Sequence, residues 1–216
     1  MLDAQHLAAP AATDHAGDAD GRTARRDRNR DAVLDAVLEL FAEGDLTPSA
    51  EQVAARSGVS LRSVYRYVAD RADLMRAAID RHIARVEPLF VIDHVGEGTF
   101  DERVERFVTA RMRGYEAIAA TSRASRFRAP TNDMIREQLE LARRRFGEQV
   151  ERQFAPELRA MKPTERRAAL AAADALTQIE TIDLYREHHR RSSRETRELL
   201  AAALRVLLQP AAAGVR

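Results

Sequence analysis

The chain has 216 residues, 45% of them hydrophobic, and a formal net charge of +1 at pH 7; that is enough apolar material for one large helical domain or a small domain beside a larger one. It contains no cysteine, which excludes disulfides, thiolate metal sites and thiol redox sensing and makes a reducing cytoplasm the simplest setting. No apolar run reaches the ~18 residues that span a bilayer, and the N-terminus lacks the basic start and apolar stretch of a signal peptide, so the sequence reads as soluble and cytoplasmic with no membrane partner.

The near-neutral total hides an asymmetry. Residues 1–20 carry four aspartates and neither arginine nor lysine, and with little to bury, residues 1–21 read as a disordered tail. Residues 22–30 carry five arginines against one aspartate. Arg25, Arg26, Arg28 and Arg30 are therefore either a solvated charge run or a basic arm for DNA. From Thr23 the pattern is helical, and Val33, Leu34, Val37, Leu38, Leu40 and Phe41 share a wide apolar face that ends at Gly44.

After a short connection through Thr47 and Pro48, Ser49 stands as an N-cap with Glu51 and Gln52 close behind it. Two short helices follow, joined by a tight turn. Val53 and Ala54 point inward from the first, Gly58 supplies the positive φ that ends it, and Val59 plugs the angle between the two. Ser60 caps the second helix, whose apolar stripe is Val64 and Val68. Leu61, Arg62, Ser63, Tyr65, Arg66 and Tyr67 are then free to meet phosphates and base edges, which makes double-stranded DNA the expected partner. Thr47 and Ser49 can offer hydroxyls and backbone N–H groups to a phosphate, although Ser49 can equally serve as a cap alone. Tyr65 can face DNA or lie mostly in the core with its hydroxyl exposed.

A fourth helix runs from near Asp70 to Pro88, so that 22–69 form a helix-turn-helix domain and 70–88 a connecting helix. His82, on its inner side, reads as a hydrogen-bonded, partly buried histidine. Residues 88–99 look like a linker whose Leu89, Phe90, Val91 and Ile92 pack on a neighbour. Beyond it, 89–216 form a larger helical domain. A helix of about 20 residues after Asp101 is followed by an Arg-rich piece at 123–128. Another runs from Asn132 to Phe154, Pro156 and Pro163 bracket a connection, an Ala-rich helix runs from Glu165 to about His188, and a last one from Ser193 to Leu208. No segment alternates with period two, so the fold class is all-α with about nine helices.

The last two helices carry more apolar surface than a one-sided helix needs. Leu176, Leu184, Leu200, Leu204 and Leu207 are accordingly expected at a homodimer interface. Met112, Tyr115, Phe127, Phe146, Gln178, Ile179, Ile182 and Tyr185 fall on the middle helices, either as plain core or as the lining of a pocket whose polar groups are Tyr115, Gln178 and Tyr185. His188 and His189 point about 100° apart on a helix and do not form a metal site. No nucleophile, phosphate loop or metal-ligand spacing supports an enzyme, and no cofactor is expected.

Taken together, Leu40 to Gly44, Val53-Ala54 with Gly58-Val59-Ser60, Val64 to Val68, and Arg71 to Leu74 resemble the TetR-type (TetR/AcrR) transcriptional regulators, over about 45 residues in order and spacing. The resemblance implies a homodimeric repressor that blocks a palindromic operator and is released when a small molecule binds the larger domain. It also implies base-edge contacts for Leu61, Arg62 and Ser63 and phosphate contacts for Tyr65, Tyr67 and Arg71. Arg71 stands where the family commonly has lysine, and Arg62 where a small residue is common, so Arg62 either reaches a guanine edge or binds a further phosphate. The alternative is a DNA-binding regulator without an effector, whose larger domain serves dimerisation or protein partners.

Overall fold

The structure, a computed structural model, describes residues 16–45, 48–67 and 71–209; within its helices the side chains of residues 16–20, 22, 71 and 72 are outside the description. The described residues form helices without a strand. Thr47, Val68 and Asp70, as well as residues 1–15 of the expected tail, lie outside the described residues.

Helix α1 runs over Ala16–Ala42, so it begins inside the segment read as tail. Its apolar face closes on α2 (Ala50–Ser57), α3 (Leu61–Tyr67) and α4 (Arg71–Val86). Val33, Val37, Val53, Val59, Val64 and Leu74 form the core of this unit. Its helices are also bolted by ions. Arg56 of α2 donates to both Glu43 oxygens at 2.9 and 2.8 Å, and Arg81 of α4 meets Asp35 at 2.9 Å and Asp31 at 2.9 Å. Asp35 also accepts from Arg85 at 2.6 Å.

Local signals set the turn. The Ser49 hydroxyl accepts from Gln52 N at 3.2 Å while the Gln52 amide oxygen accepts from Ser49 N at 2.7 Å, a reciprocal cap. Gly58 has φ 68°, a conformation that costs a residue with a Cβ, and its N–H returns to Ala54 O at 3.1 Å. Ser60 then caps α3, accepting from Ser63 N at 3.3 Å.

A 3₁₀ turn, Glu87–Phe90, leads to the larger unit: α5 (Phe100–Arg128), a second 3₁₀ turn (Ala129–Thr131), α6 (Asp133–Gln153), α7 (Ala155–Ala160), α8 (Pro163–Thr177), α9 (Ile179–Asp183) and α10 (Ser193–Leu208). The Arg-rich piece at 123–128 is the end of α5, and α7 occupies what read as a connection between prolines. Val104, Phe107, Val108, Val150, Phe154, Ile182, Leu200 and Leu204 centre a second core. Within it the Arg103–Glu157 ion pair is buried, and Gln153 donates to Arg103 O at 2.9 Å.

The helix expected from Glu165 to His188 breaks. Gln178 is extended, with ψ 152°, and its side chain donates to Asp174 Oδ1 at 2.5 Å. The break rotates Ile179 and Ile182 into the core, where they are 4% and 0% exposed. A π turn, Leu184–His188, follows. Tyr115 donates to Asp183 at 3.0 Å, and Arg123 and Arg126 pair with the same carboxylate, so this broken segment is pinned to α5. Burial and the Asp183 acceptor push the Tyr115 hydroxyl up to about 12.

Leu200 and Leu204 were expected to meet a second copy, but they are buried inside this chain at 1% and 0% exposure. Together with Thr196, Ala201 and Leu208 they form the inward stripe of α10. Leu176 and Leu207 are half-buried against the same core. The apolar residues left outward are Leu184, Leu199 and Val206, the last 78% exposed.

Candidate nucleic-acid interface and interdomain cavity

Two features stand out: the outer face of α3 and a cavity where the two units meet. On α3, Val64 faces the core at 2% exposure, and Leu61, Arg62, Tyr65 and Arg66 form a strip on the opposite side. Tyr65 is 62% exposed, which decides between its two readings in favour of the surface. Arg66 lies over the Tyr67 ring at 5.4 Å, and Tyr67 itself is half-buried against the small core. Ser63 is half-buried, with its hydroxyl 3.0 Å from Ser60 Oγ. The strip therefore carries two guanidinium groups four residues apart, an aromatic hydroxyl and an aliphatic contact, the side-chain kinds that read a groove.

Arg25, Arg26, Arg28 and Arg30 are exposed along the first half of α1. Ser49 is committed to its capping box. Arg71 opens α4, but its side chain, like all of Thr47, lies outside the described residues.

The cavity has a volume of about 530 Å³ and opens between α1, α4, α5 and α6. Leu38 and Phe41 of α1 form one wall and Ile79, His82, Ile83 and Val86 of α4 the next. Across from them stand Ile118, Thr121, Ser122 and Ser125 of α5, with Ile135, Gln138, Leu139 and Phe146 of α6. Phe90 and Phe146 pack with ring centres 5.0 Å apart.

Of the residues read as a pocket lining, Phe146 and Ile179 reach this cavity. Met112, Tyr115 and Ile182 are core residues at 4%, 3% and 0% exposure, and neither Gln178 nor Tyr185 lines the cavity. Phe127 is 76% exposed, beside a shallow depression between α5 and the end of α1. The expected polar trio of Tyr115, Gln178 and Tyr185 is thus replaced by another set. His82 is partly buried, as read, but it lines the cavity without the expected hydrogen-bond partner among the described residues. The hydroxyls at 121, 122 and 125 were the available signal, since their spacing puts them on one face of α5.

Behind Phe146, Arg111 is buried between two rings, 5.0 Å from the centre of Phe107 and 4.1 Å from that of Phe146. Burial lowers its guanidinium to about 9, with Asp174 acting in the opposite sense. His188 and His189 are exposed, with ring centres 5.5 Å apart, and among the described residues no cluster of His, Asp and Glu has the arrangement of a metal site.

No protein-family model and no curated protein matches the chain. Among solved structures, a candidate transcriptional regulator of Streptomyces coelicolor A3(2) superimposes with a TM-score of 0.59 at 22% identity, over 85% of this chain and 99% of that one. This chain is similar to that protein in fold, with the same all-helical architecture. Among the described residues no helix is long and apolar enough to cross a membrane.

Proposed function

We propose that the chain is a cytoplasmic, DNA-binding transcriptional regulator of the TetR type. It acts as a homodimer and represses from a palindromic operator until a small apolar effector fills the interdomain cavity. The observation that carries the reading is the exposed strip of Leu61, Arg62, Tyr65 and Arg66 on a capped helix, itself held by the Gly58 turn. Leu61, Arg62, Ser63 and Arg66 would meet base edges, while Ser60, Tyr65, Tyr67, Arg71, Thr47 and Ser49 hold phosphates, with Arg25, Arg26 and Arg28 as a basic arm.

Pairing follows from reach. A helix of seven residues reads few base pairs, and two copies with half-sites ~34–36 Å apart, or a multiple of that, multiply the discrimination. The surface that suits a second copy is the outward side of α8 and α10, where Ala168, Ala171 and Ala175 lie exposed with Leu199, Ala202 and Val206. Small side chains there allow two helix pairs to approach closely.

Selection of random duplex DNA by the purified protein tests the reading. An inverted repeat should be enriched, with affinity falling steeply as salt rises. Recovery of no shared sequence would overturn it.

A further inference from the structure

The walls of the cavity separate charged from uncharged groups. At its rim Arg145 pairs with Glu87 at 3.1 Å and Arg143 with Glu180 at 2.6 Å, while Glu148 and Arg152 are exposed to solvent. These charges are neutralised by each other or by water, so none awaits a counter-charge from within. Arg111, buried in the larger core, is not among the lining residues; the Phe146 ring stands at 4.1 Å over its guanidinium.

Deeper in, the polar groups are neutral. Thr121 and Ser125 on α5, Gln138 on α6 and His82 on α4 line the cavity, and none has a side-chain hydrogen-bond partner among the described residues. Nor are their polar atoms sealed from the space beside them. Burial and the neighbouring Arg85 hold the His82 imidazole below its ordinary pKa, so it offers one donor and one acceptor. Ser122 and Gln149 also line it but are engaged, the Ser122 hydroxyl accepting from Arg126 at 3.3 Å and the Gln149 amide donating to Phe90 O at 3.0 Å. The remainder of the wall is aliphatic or aromatic, and an apolar wall with a few spare polar groups is the composition of a small-molecule site.

The geometry points to an uncharged, largely apolar ligand bearing a hydroxyl or carbonyl group, hydrogen-bonded by His82 and the hydroxyl face of α5, and packed directly on Leu38 and Phe41 of α1. Its regulatory consequence rests on the regulator reading. Since α1 and α4 frame the helix-turn-helix core, a ligand between them and α5 shifts the DNA-reading unit without an intermediate element.

Two dyes with one skeleton test the class: N-phenyl-1-naphthylamine, which is neutral, and its sulfonated analogue 8-anilinonaphthalene-1-sulfonate. Titrated into the full-length protein, the neutral dye should bind about tenfold tighter or more, because nothing in the cavity replaces the hydration of a sulfonate. Decan-1-ol should displace it about tenfold better than decanoate, and His82→Leu should cut the alcohol's potency about fivefold while moving the dye less than about twofold. Leu139→Trp fills the space from α6 and Ser125→Trp from α5, and each should abolish dye binding, with helical circular dichroism and a cooperative melt reporting that the variant folds.

Equal affinity for both dyes, or undiminished binding in the folded tryptophan variants, would overturn the proposal. Binding that follows these rules in a protein with no affinity for any DNA would refute the regulator reading and leave the chemistry of the cavity standing.

Discussion

Gly114, in the middle of α5, is the place where one methyl group tests the cavity wall. A Cβ built there collides with three carbons of the Phe90 ring, and that ring is 8% exposed, backed by Phe146 at 5.0 Å. To regain an ordinary carbon contact of ~3.5–4.0 Å the ring must retreat by roughly 1.5 Å. The α5 side is blocked, so it moves into the cavity that it lines. Overpacking of this kind costs about 1–3 kcal/mol, and the gain in helix propensity from Gly→Ala returns about 1 kcal/mol. Gly114→Ala should therefore destabilise by up to about 2 kcal/mol, a fall in Tm of up to roughly 4–8 °C for a chain of this size. It should also weaken the neutral dye severalfold, because volume is lost where the dye sits. Adding Phe90→Leu, which removes two of the three colliding carbons, should recover more stability than the sum of the single effects allows. Chemical denaturation, thermal melts and dye titration read all three. A Gly114→Ala variant that gains the full helix increment and binds dye unchanged would refute the reasoning.

Three further outcomes follow from the same contacts. Leu204, with 0% exposure, should cost about 2–5 kcal/mol as Leu204→Ala, and Leu204→Asp should unfold the larger unit rather than yield a folded monomer. Val206→Asp, at a 78% exposed position, should keep the fold and shift sedimentation from dimer to monomer; a folded Leu204→Asp monomer beside a dimeric Val206→Asp would reverse this assignment. The hydrogen bonds from Arg81 and Arg85, working against partial burial, hold the Asp35 carboxyl below the ordinary value of about 3.9. A depressed native pKa stabilises above the unfolded value and loses that contribution as pH falls. The Tm gap between wild type and Asp35→Asn should thus stay constant above about pH 5 and narrow progressively as pH falls below about 4; a gap that does not narrow with acidification would contradict the ion-pair account.

What the sequence made legible was local. The turn between α2 and α3 depends on Ser49, Gln52, Gly58 and Ser60, each acting within three or four residues, so its chemistry is written in consecutive positions. α10 was equally plain, bounded by the Ser192 cap. The break at Gln178 was not, because no Pro or Gly marks it; it is made by distant partners, Asp183 gripped from α5 by Tyr115, Arg123 and Arg126. The leucines of α10 misled for a related reason. Periodicity shows that Leu199, Leu200, Leu204 and Leu207 cover more than one side of a helix, but the choice of inward side is made by α5 and α8. The cavity was hardest to see, since its wall joins faces of four helices, from Leu38 in α1 to Phe146 in α6, that only the tertiary fold brings together. Tyr115 and Tyr185 have the right chemistry for a pocket and the wrong position.

The central claim is that α3 reads bases in the major groove through Arg62 and Arg66. Methylation interference at guanine N7, with the selected duplex bound to wild type and to Arg62→Ala and Arg66→Ala, tests it most directly. The account predicts two patches of interference related by the operator's symmetry, each losing a guanine in one of the variants with a penalty of about 1–3 kcal/mol. Uniform weakening on every sequence, with no major-groove guanine affected, would contradict it.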